Sequence, residues 1–99
     1  MRTMIRITIP VEAGNKGIAD GTLPKIMGNA LDRLKPEAAY FFADRGLRTG
    51  LLVVDMKDVS DIPSIVEPFF MGLNAAIELI PVMNAEDLKK GLAKAMSAM

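Results

Sequence analysis

Two neighbouring segments that are apolar on both faces constrain the fold of this 99-residue chain more than any other feature. The segments run from Glu37 to Ala43 and from Arg48 to Met56, and Asp44-Arg45-Gly46 lies between them. Their β-branched and aromatic content, with a glycine in the connection, predicts a β-hairpin in which Gly46 takes a positive φ. Strands that are apolar on both faces must be covered on both sides.

The residues before the hairpin predict a strand and a helix. Met4–Ile9 alternates isoleucine with other residues and ends at Pro10, which predicts the strand. Thr22–Leu34 has helical spacing of its apolar residues, a plausible cap at Thr22 and Pro24 in its first turn. A helical turn or two is expected before it, from Ala13 to Asp20. The segment Gly14-Asn15-Lys16-Gly17 is interpreted as a flexible turn, because it matches neither phosphate-loop pattern.

The residues after the hairpin predict a second helix, a strand and a terminal helix. The second helix begins at Ser60 or Asp61, and its apolar stripe runs from Ile62 to Leu73. Pro68 lies inside it and predicts a kink or two short pieces. Ala75–Val82 predicts the last strand. Asn84 is then expected to cap the terminal helix, with Asp87 in a capping-box arrangement.

The resulting order, β-α-β-β-α-β followed by a helix, is the ferredoxin-like arrangement of the α+β class. Right-handed crossovers place the strands in one antiparallel sheet with both main helices on one face. Residues 1–99 are therefore expected to form a single domain whose other sheet face is bare and apolar. We predict that this face pairs with a second copy to form a homodimer, which the extra C-terminal helix braces.

Composition supports an interface and excludes several classes of function. Hydrophobic residues make up 51% of the chain, which is more than so small a globule can hide. The chain has no Cys and no His, so thiolate, His-ligated metal and Ser-His chemistry are absent. The formal net charge is zero without a basic stripe, which argues against nucleic acid as a partner. No signal peptide or membrane-spanning run is visible, so we expect no membrane partner and a cytoplasmic location.

Several segments resemble one known group of proteins, the dimeric α/β-barrel superfamily. They are the hairpin strand RTGLLVVDM, the helix segment EPFFMGL and the closing strand IELIPVM. The resemblance implies that two protomers pair through their sheets into a closed barrel. The superfamily includes cofactor-free monooxygenases, muconolactone isomerase-like enzymes, haem-dependent members and small stand-alone proteins of unassigned function, which this chain resembles most. Since the chain lacks His, the usual haem-binding version is disfavoured and we predict no cofactor and no metal. No enzymatic motif is present, so no catalytic residue carries over.

Four residues are candidates for binding a ligand, and the first two are Arg6 and Glu78. If Ile5 and the other isoleucines of its strand face the helices, Arg6 faces the barrel interior, and Glu78 on the last strand does the same. First and last strands are neighbours in this topology, so the two residues could pair. The pair would anchor a small acidic or carbonyl-bearing ligand, with Glu78 as a possible general base once buried. The alternative is a purely structural ion pair.

The other two candidates, Tyr40 and Arg48, come from the hairpin. Tyr40 could orient a ligand or donate a proton, or it could be an interface aromatic. Arg48 could hold an anion or be a solvated strand-end charge. The sequence thus leaves three functions open: binding of a small, largely apolar molecule in a cavity beside the sheet, a cofactor-independent isomerase or monooxygenase using the same cavity, and a purely structural dimer.

Overall fold

The structure, a computed structural model, describes all 99 residues and contains four strands and four helices. A single 3₁₀ turn, Val59–Asp61, precedes the third helix. The elements in chain order are β1 (Arg2–Ile9), α1 (Val11–Asp20), α2 (Thr22–Leu34), β2 (Ala38–Asp44), β3 (Leu47–Asp55), α3 (Ile62–Leu73), β4 (Ala76–Pro81) and α4 (Ala85–Ala98). The predicted α+β class and the predicted order of elements are confirmed.

The four strands form one sheet in the order β2-β3-β1-β4, and every neighbouring pair is antiparallel. Alternate residues of β1 are buried beneath the helices, among them Ile5, Ile7 and Ile9. These isoleucines share one core with Leu52 of β3 and Phe69 of α3. The helices α2 and α3 therefore cover one face of the sheet, as the β1 alternation predicts.

The first helix is longer than the sequence indicated. The glycines that weaken its helical propensity are the residues that pack, since Gly14 and Gly17 are its two buried residues. A Cβ on Gly17 would lie 3.0 Å from side-chain atoms of both Leu23 and Leu73, so the close approach of α1, α2 and α3 requires glycine there. Gly21, with φ of 81°, then separates α1 from α2. The expected flexible turn at Gly14–Gly17 is wrong, because helix packing outweighs local propensity.

The hairpin connection is a two-residue turn in which both Arg45 (φ 53°) and Gly46 (φ 78°) have positive φ. Asp44 pairs with Leu47 across it, which fixes the register of β2 on β3. Positive φ at both central residues is the type I′ pattern that matches the twist of paired strands. The prediction for Gly46 is confirmed, and Arg45 shares the same conformation.

The third helix runs without interruption through Pro68, so the predicted alternative of two short pieces is wrong. A proline at this position leaves the carbonyl of Ser64 without its i+4 N–H donor. The guanidinium of Arg33, on α2, donates a hydrogen bond to that carbonyl at 3.1 Å. The side chain of a neighbouring helix thus supplies the missing donor.

The terminal helix α4 is the least packed element. Asn84 and Asp87 form the predicted capping box, with reciprocal side-chain and backbone hydrogen bonds. No residue of α4 is buried, and the whole molecule measures 55 × 29 × 17 Å. None of the four helices combines the length and hydropathy that crossing a membrane requires.

Candidate functional site

The face of the sheet opposite the helices carries no covering element in the single chain, and we call it the open face. Residues of β1 that point to this face are only half-buried, whereas their neighbours beneath the helices are buried. The cross-strand register places alternate residues of the other strands on the same side. The principal side chains of the open face are Met4, Arg6, Tyr40, Phe42, Leu51, Val53, Glu78 and Ile80.

Three of the four predicted site residues lie in one row across the open face. Tyr40 pairs with Leu51, Leu51 with Arg6, and Arg6 with Glu78. The predicted proximity of Arg6 and Glu78 is confirmed, since the Arg6 Nε lies 3.6 Å from the Glu78 Oε1. Tyr40 occupies the far end of the same row, and its side chain is exposed.

Arg6 also has two partners on the hairpin. Its Nη2 donates a hydrogen bond to the Asp44 Oδ2. Its guanidinium carbon lies 5.9 Å from the centre of the Phe42 ring, within the range of a cation–π contact. Arg6, Phe42, Asp44 and Glu78 form what we call the Arg6 cluster, in which one positive charge meets two carboxylates.

Sequence reasoning missed Asp44, because it was interpreted only as a turn residue. The signal that could have found it is the register of the hairpin. A two-residue turn places Asp44 on the same face as Phe42, two residues earlier, and the long Arg6 side chain reaches Asp44 across the intervening strand β3. The same argument needs a two-residue turn, whereas the sequence predicts a turn that contains Asp44 together with Arg45 and Gly46.

Arg48 lies on the other face of the sheet, away from the Arg6 cluster. It pairs with Ile9, which is buried beneath the helices. Its guanidinium donates to the Asn15 side-chain oxygen at 3.1 Å and to the Val11 carbonyl at 3.5 Å, and it lies against Gly14. The expectation that Arg48 joins the other candidates around one cavity is wrong, because its strand position alternates to the helix side. Arg48 instead joins β3 to α1.

The Arg6 cluster is shallow in the single chain. The Glu78 side chain is 63% exposed and the Arg6 side chain 27% exposed. The surface has four hollows, of about 230 to 630 Å³, and none of them is lined by Arg6, Tyr40 or Glu78. The most apolar of them, about 410 Å³, lies on the helix side of the hairpin and is lined in part by Ile18, Met27 and Phe41. Glu78 would have to be buried to act as a general base, and the single protomer does not bury it.

A second group of charges lies where β1 begins and α4 starts. Arg2 donates to Glu37 at 2.6 Å and also to Asp87. The hydrogen bond to Glu37 is the main cause that raises the pKa of Arg2. The pKa of Asp87 is lowered, first by the hydrogen bond from the Asn84 backbone N–H and then by Arg2. This group of charges orients α4 relative to the sheet.

Nowhere in the structure do three carboxylates come close enough together to hold a metal ion.

Comparison with known proteins does not place the chain in a family. No protein-family model matches it, and no curated protein matches it either. The arguments about function that follow therefore use the residues of this chain.

Proposed function

We propose that two copies of this ferredoxin-like protomer pair through their open faces into an α/β barrel, in the manner of the dimeric α/β-barrel superfamily. The observation that carries the proposal is the uncovered apolar surface of the sheet. Met4, Leu51 and Val53 are only half-buried there, and Ile80 is exposed. Burying such surface between two copies is favourable by about 25 cal/mol per Å² of apolar area.

Exposure across the chain supports the same pairing. Only 18 of the 99 residues are buried in the single chain, although 51% of the residues are hydrophobic. The exposed aromatics include Tyr40 and Phe42 on the open face. Aromatic residues are enriched in the buried centres of protein interfaces.

We infer that the dimer encloses a small, largely apolar molecule beside the Arg6 clusters. Leu51 and Val53 would supply the apolar wall, and the clusters would supply the polar contacts. Arg6 already shares its charge with Asp44 and Glu78. An additional anion would meet two carboxylates for one arginine, so a neutral molecule with a hydroxyl or carbonyl group suits the cluster better than the acidic ligand considered from the sequence.

Sedimentation velocity over a concentration series tests the pairing. The wild-type chain should be a dimer at micromolar concentration. Val53→Glu places a carboxylate on the open face and should yield a folded monomer. Ala43→Glu is the matched control, because Ala43 pairs with Arg48 and points to the opposite face. A monomeric wild type, or a Val53→Glu variant as dimeric as wild type, contradicts the proposal.

Titration with a neutral apolar dye, Nile red, tests the enclosed space. Fluorescence should rise on binding to the wild-type dimer and should not rise with Leu51→Trp, which fills the centre of the open face. The variant should remain dimeric, which separates loss of the cavity from loss of the interface. Equal dye binding by both proteins would place the dye elsewhere, and no binding by either would leave the dimer without a ligand cavity.

A further inference from the structure

The terminal helix α4 presents an apolar stripe that nothing in its own chain covers. At about 100° per residue, Leu88, Leu92 and Met96 fall on one side of the helix, within a sector roughly 100° wide. Ala95 and Met99 fall in the same sector. Leu88, Leu92 and Met96 are 45%, 57% and 72% exposed, respectively. Lys90 and Lys94 lie on the opposite side, so the helix is amphipathic without a partner.

The stripe is turned away from the protomer to which α4 is attached. Asp87 contacts the body of the protein through Arg2, and Gly91 is the other half-buried residue of α4. Asp87 lies about 130° around the helix axis from the centre of the stripe, by the same count per residue. The capping box at Asn84 holds Asp87 in the first turn, and the contact of Asp87 with Arg2 sets this orientation. The protomer consequently holds α4 by its polar side and leaves the apolar side free.

The size of the open face also indicates that it does not form the whole interface. Four strands about 4.8 Å apart and about seven residues long span about 19 by 24 Å, or roughly 450 Å². A specific interface of standard size buries about 800 Å² on each partner. The stripe of α4 is about 21 Å long and roughly 10 Å wide, so packing it on a partner adds about 200 Å² for the helix and a similar area for the surface beneath it. Together these areas reach the standard size.

We propose that the apolar stripe of α4 packs on the partner subunit, so that the two copies exchange their terminal helices as reciprocal arms. The inference rests on the open-face dimer proposed above and adds a second contact to it. Leu88, Leu92 and Met96 carry the contact. Arg2, through Asp87, sets the direction in which the arm leaves its own protomer.

Sedimentation equilibrium with full-length variants tests the arm. The double variant Leu92→Glu/Met96→Glu should weaken dimerisation at least tenfold. The control, Lys90→Ala/Lys94→Ala, changes the net charge by the same amount on the opposite side and should leave the dimer constant within about threefold. No α4 residue is buried in the protomer, so neither change should unfold it. Circular dichroism checks this expectation.

Hydrogen exchange of the α4 amides, measured below and above the dimerisation midpoint, distinguishes the arm from the open-face contact. Protection of α4 that rises with dimerisation supports the arm. A dimer that Val53→Glu dissociates, but in which α4 stays unprotected and Leu92→Glu/Met96→Glu has no effect, overturns the arm and leaves the open-face dimer standing. A wild-type monomer overturns both. Protection that appears only on adding vesicles of anionic phospholipid assigns the stripe to a lipid surface and also overturns the arm.

Discussion

Arg2 donates a hydrogen bond to Asp87, which lies 85 residues further along the chain. The same guanidinium donates to Glu37, just before β2, at 2.6 Å. Asp87 in turn accepts a hydrogen bond from the Asn84 backbone N–H at 3.1 Å, which completes the cap of α4. One arginine at the start of β1 thereby connects the hairpin and the first turn of the terminal helix. The direction of α4 depends on this side chain, because no residue of the helix is buried.

Arg2→Lys should loosen α4 without unfolding the protein. Lysine keeps the positive charge but lacks the planar fork that bonds two carboxylates at once. Amide exchange in the first turns of α4 should accelerate about two- to fivefold, the range expected for loss of an exposed ion pair. Lys57→Ala is the control, because it removes a surface ion pair with Asp55 that does not contact α4. Unchanged α4 exchange in Arg2→Lys would show that the capping box alone orients the helix.

The sequence predicted those features that depend on local periodicity and on simple topology. Alternation in β1 indicated that its isoleucines share one face, which the structure places against the helices, and adjacency of the first and last strands predicted Arg6 beside Glu78. Both inferences use only the two-residue repeat of a strand and the order of elements. The capping box at Asn84 and Asp87 followed from residue types at a fixed spacing.

The remaining features depend on tertiary contacts that a single sequence does not reveal. Gly14 and Gly17 lower helix propensity, yet α1 forms because the absence of side chains lets it approach Arg48 and Leu73. The sequence predicts Arg48 beside the other candidates, but β3 turns it to the helix side, and a single sequence does not determine this facing because a shift of one residue reverses it. The position of Asp44 beside Arg6 required the turn length, and Arg33 reaching the Ser64 carbonyl required the packing of α2 on α3.

Pro68→Ala should stabilise the protein, and the gain should depend on Arg33. Alanine restores an N–H that can donate to the Ser64 carbonyl, and proline in a helix interior costs up to about 3 kcal/mol. Because Arg33 already donates to that carbonyl at 3.1 Å, the gain should be smaller than this limit. Arg33→Ala should therefore lower the free energy of unfolding by less in the Pro68→Ala background than in wild type.

A double-mutant cycle of Pro68→Ala and Arg33→Ala, measured by urea unfolding, checks this coupling. The control is Lys25→Ala, since Lys25 is an exposed α2 residue with no side-chain hydrogen bond or ion pair in the structure. Strictly additive effects of the two substitutions would mean that the Arg33 hydrogen bond does not compensate for the proline.

Arg45→Asn should stabilise the hairpin turn. Arg45 has φ of 53°, a conformation that costs an ordinary L-residue about 1–2 kcal/mol and that asparagine adopts more readily. An increase near 1 kcal/mol raises Tm by about 4–8 °C in a domain of this size. Arg45→Ala removes the same charge but keeps an ordinary Cβ, so it should not raise Tm. Thermal unfolding of the three proteins gives the comparison, and equal Tm values for the Asn and Ala variants would contradict the explanation.

We expect the protein to lose stability at low pH, because protonation of Asp55 removes its ion pairs. Lys57 and the N-terminal ammonium donate hydrogen bonds to its carboxylate, the second at 3.0 Å, and they lower the pKa of Asp55 from 3.8 to about 2. A carboxyl whose pKa is lower in the folded state stabilises that state above its unfolded pKa. The contribution is therefore complete above about pH 4 and is lost as the pH falls toward 2.

Asp55→Asn should consequently be less stable than wild type at neutral pH, and the difference should shrink between pH 4 and pH 2, the interval set by the two pKa values. Urea unfolding midpoints at several pH values measure this change. Asp32→Asn is the control, because Asp32 forms no ion pair. The Asp55 side chain is 61% exposed, so salt at about 1 M, where the Debye length is about 3 Å, should reduce the difference at neutral pH. A difference between Asp55→Asn and wild type that stays constant from pH 7 to pH 2 would exclude these ion pairs as its source.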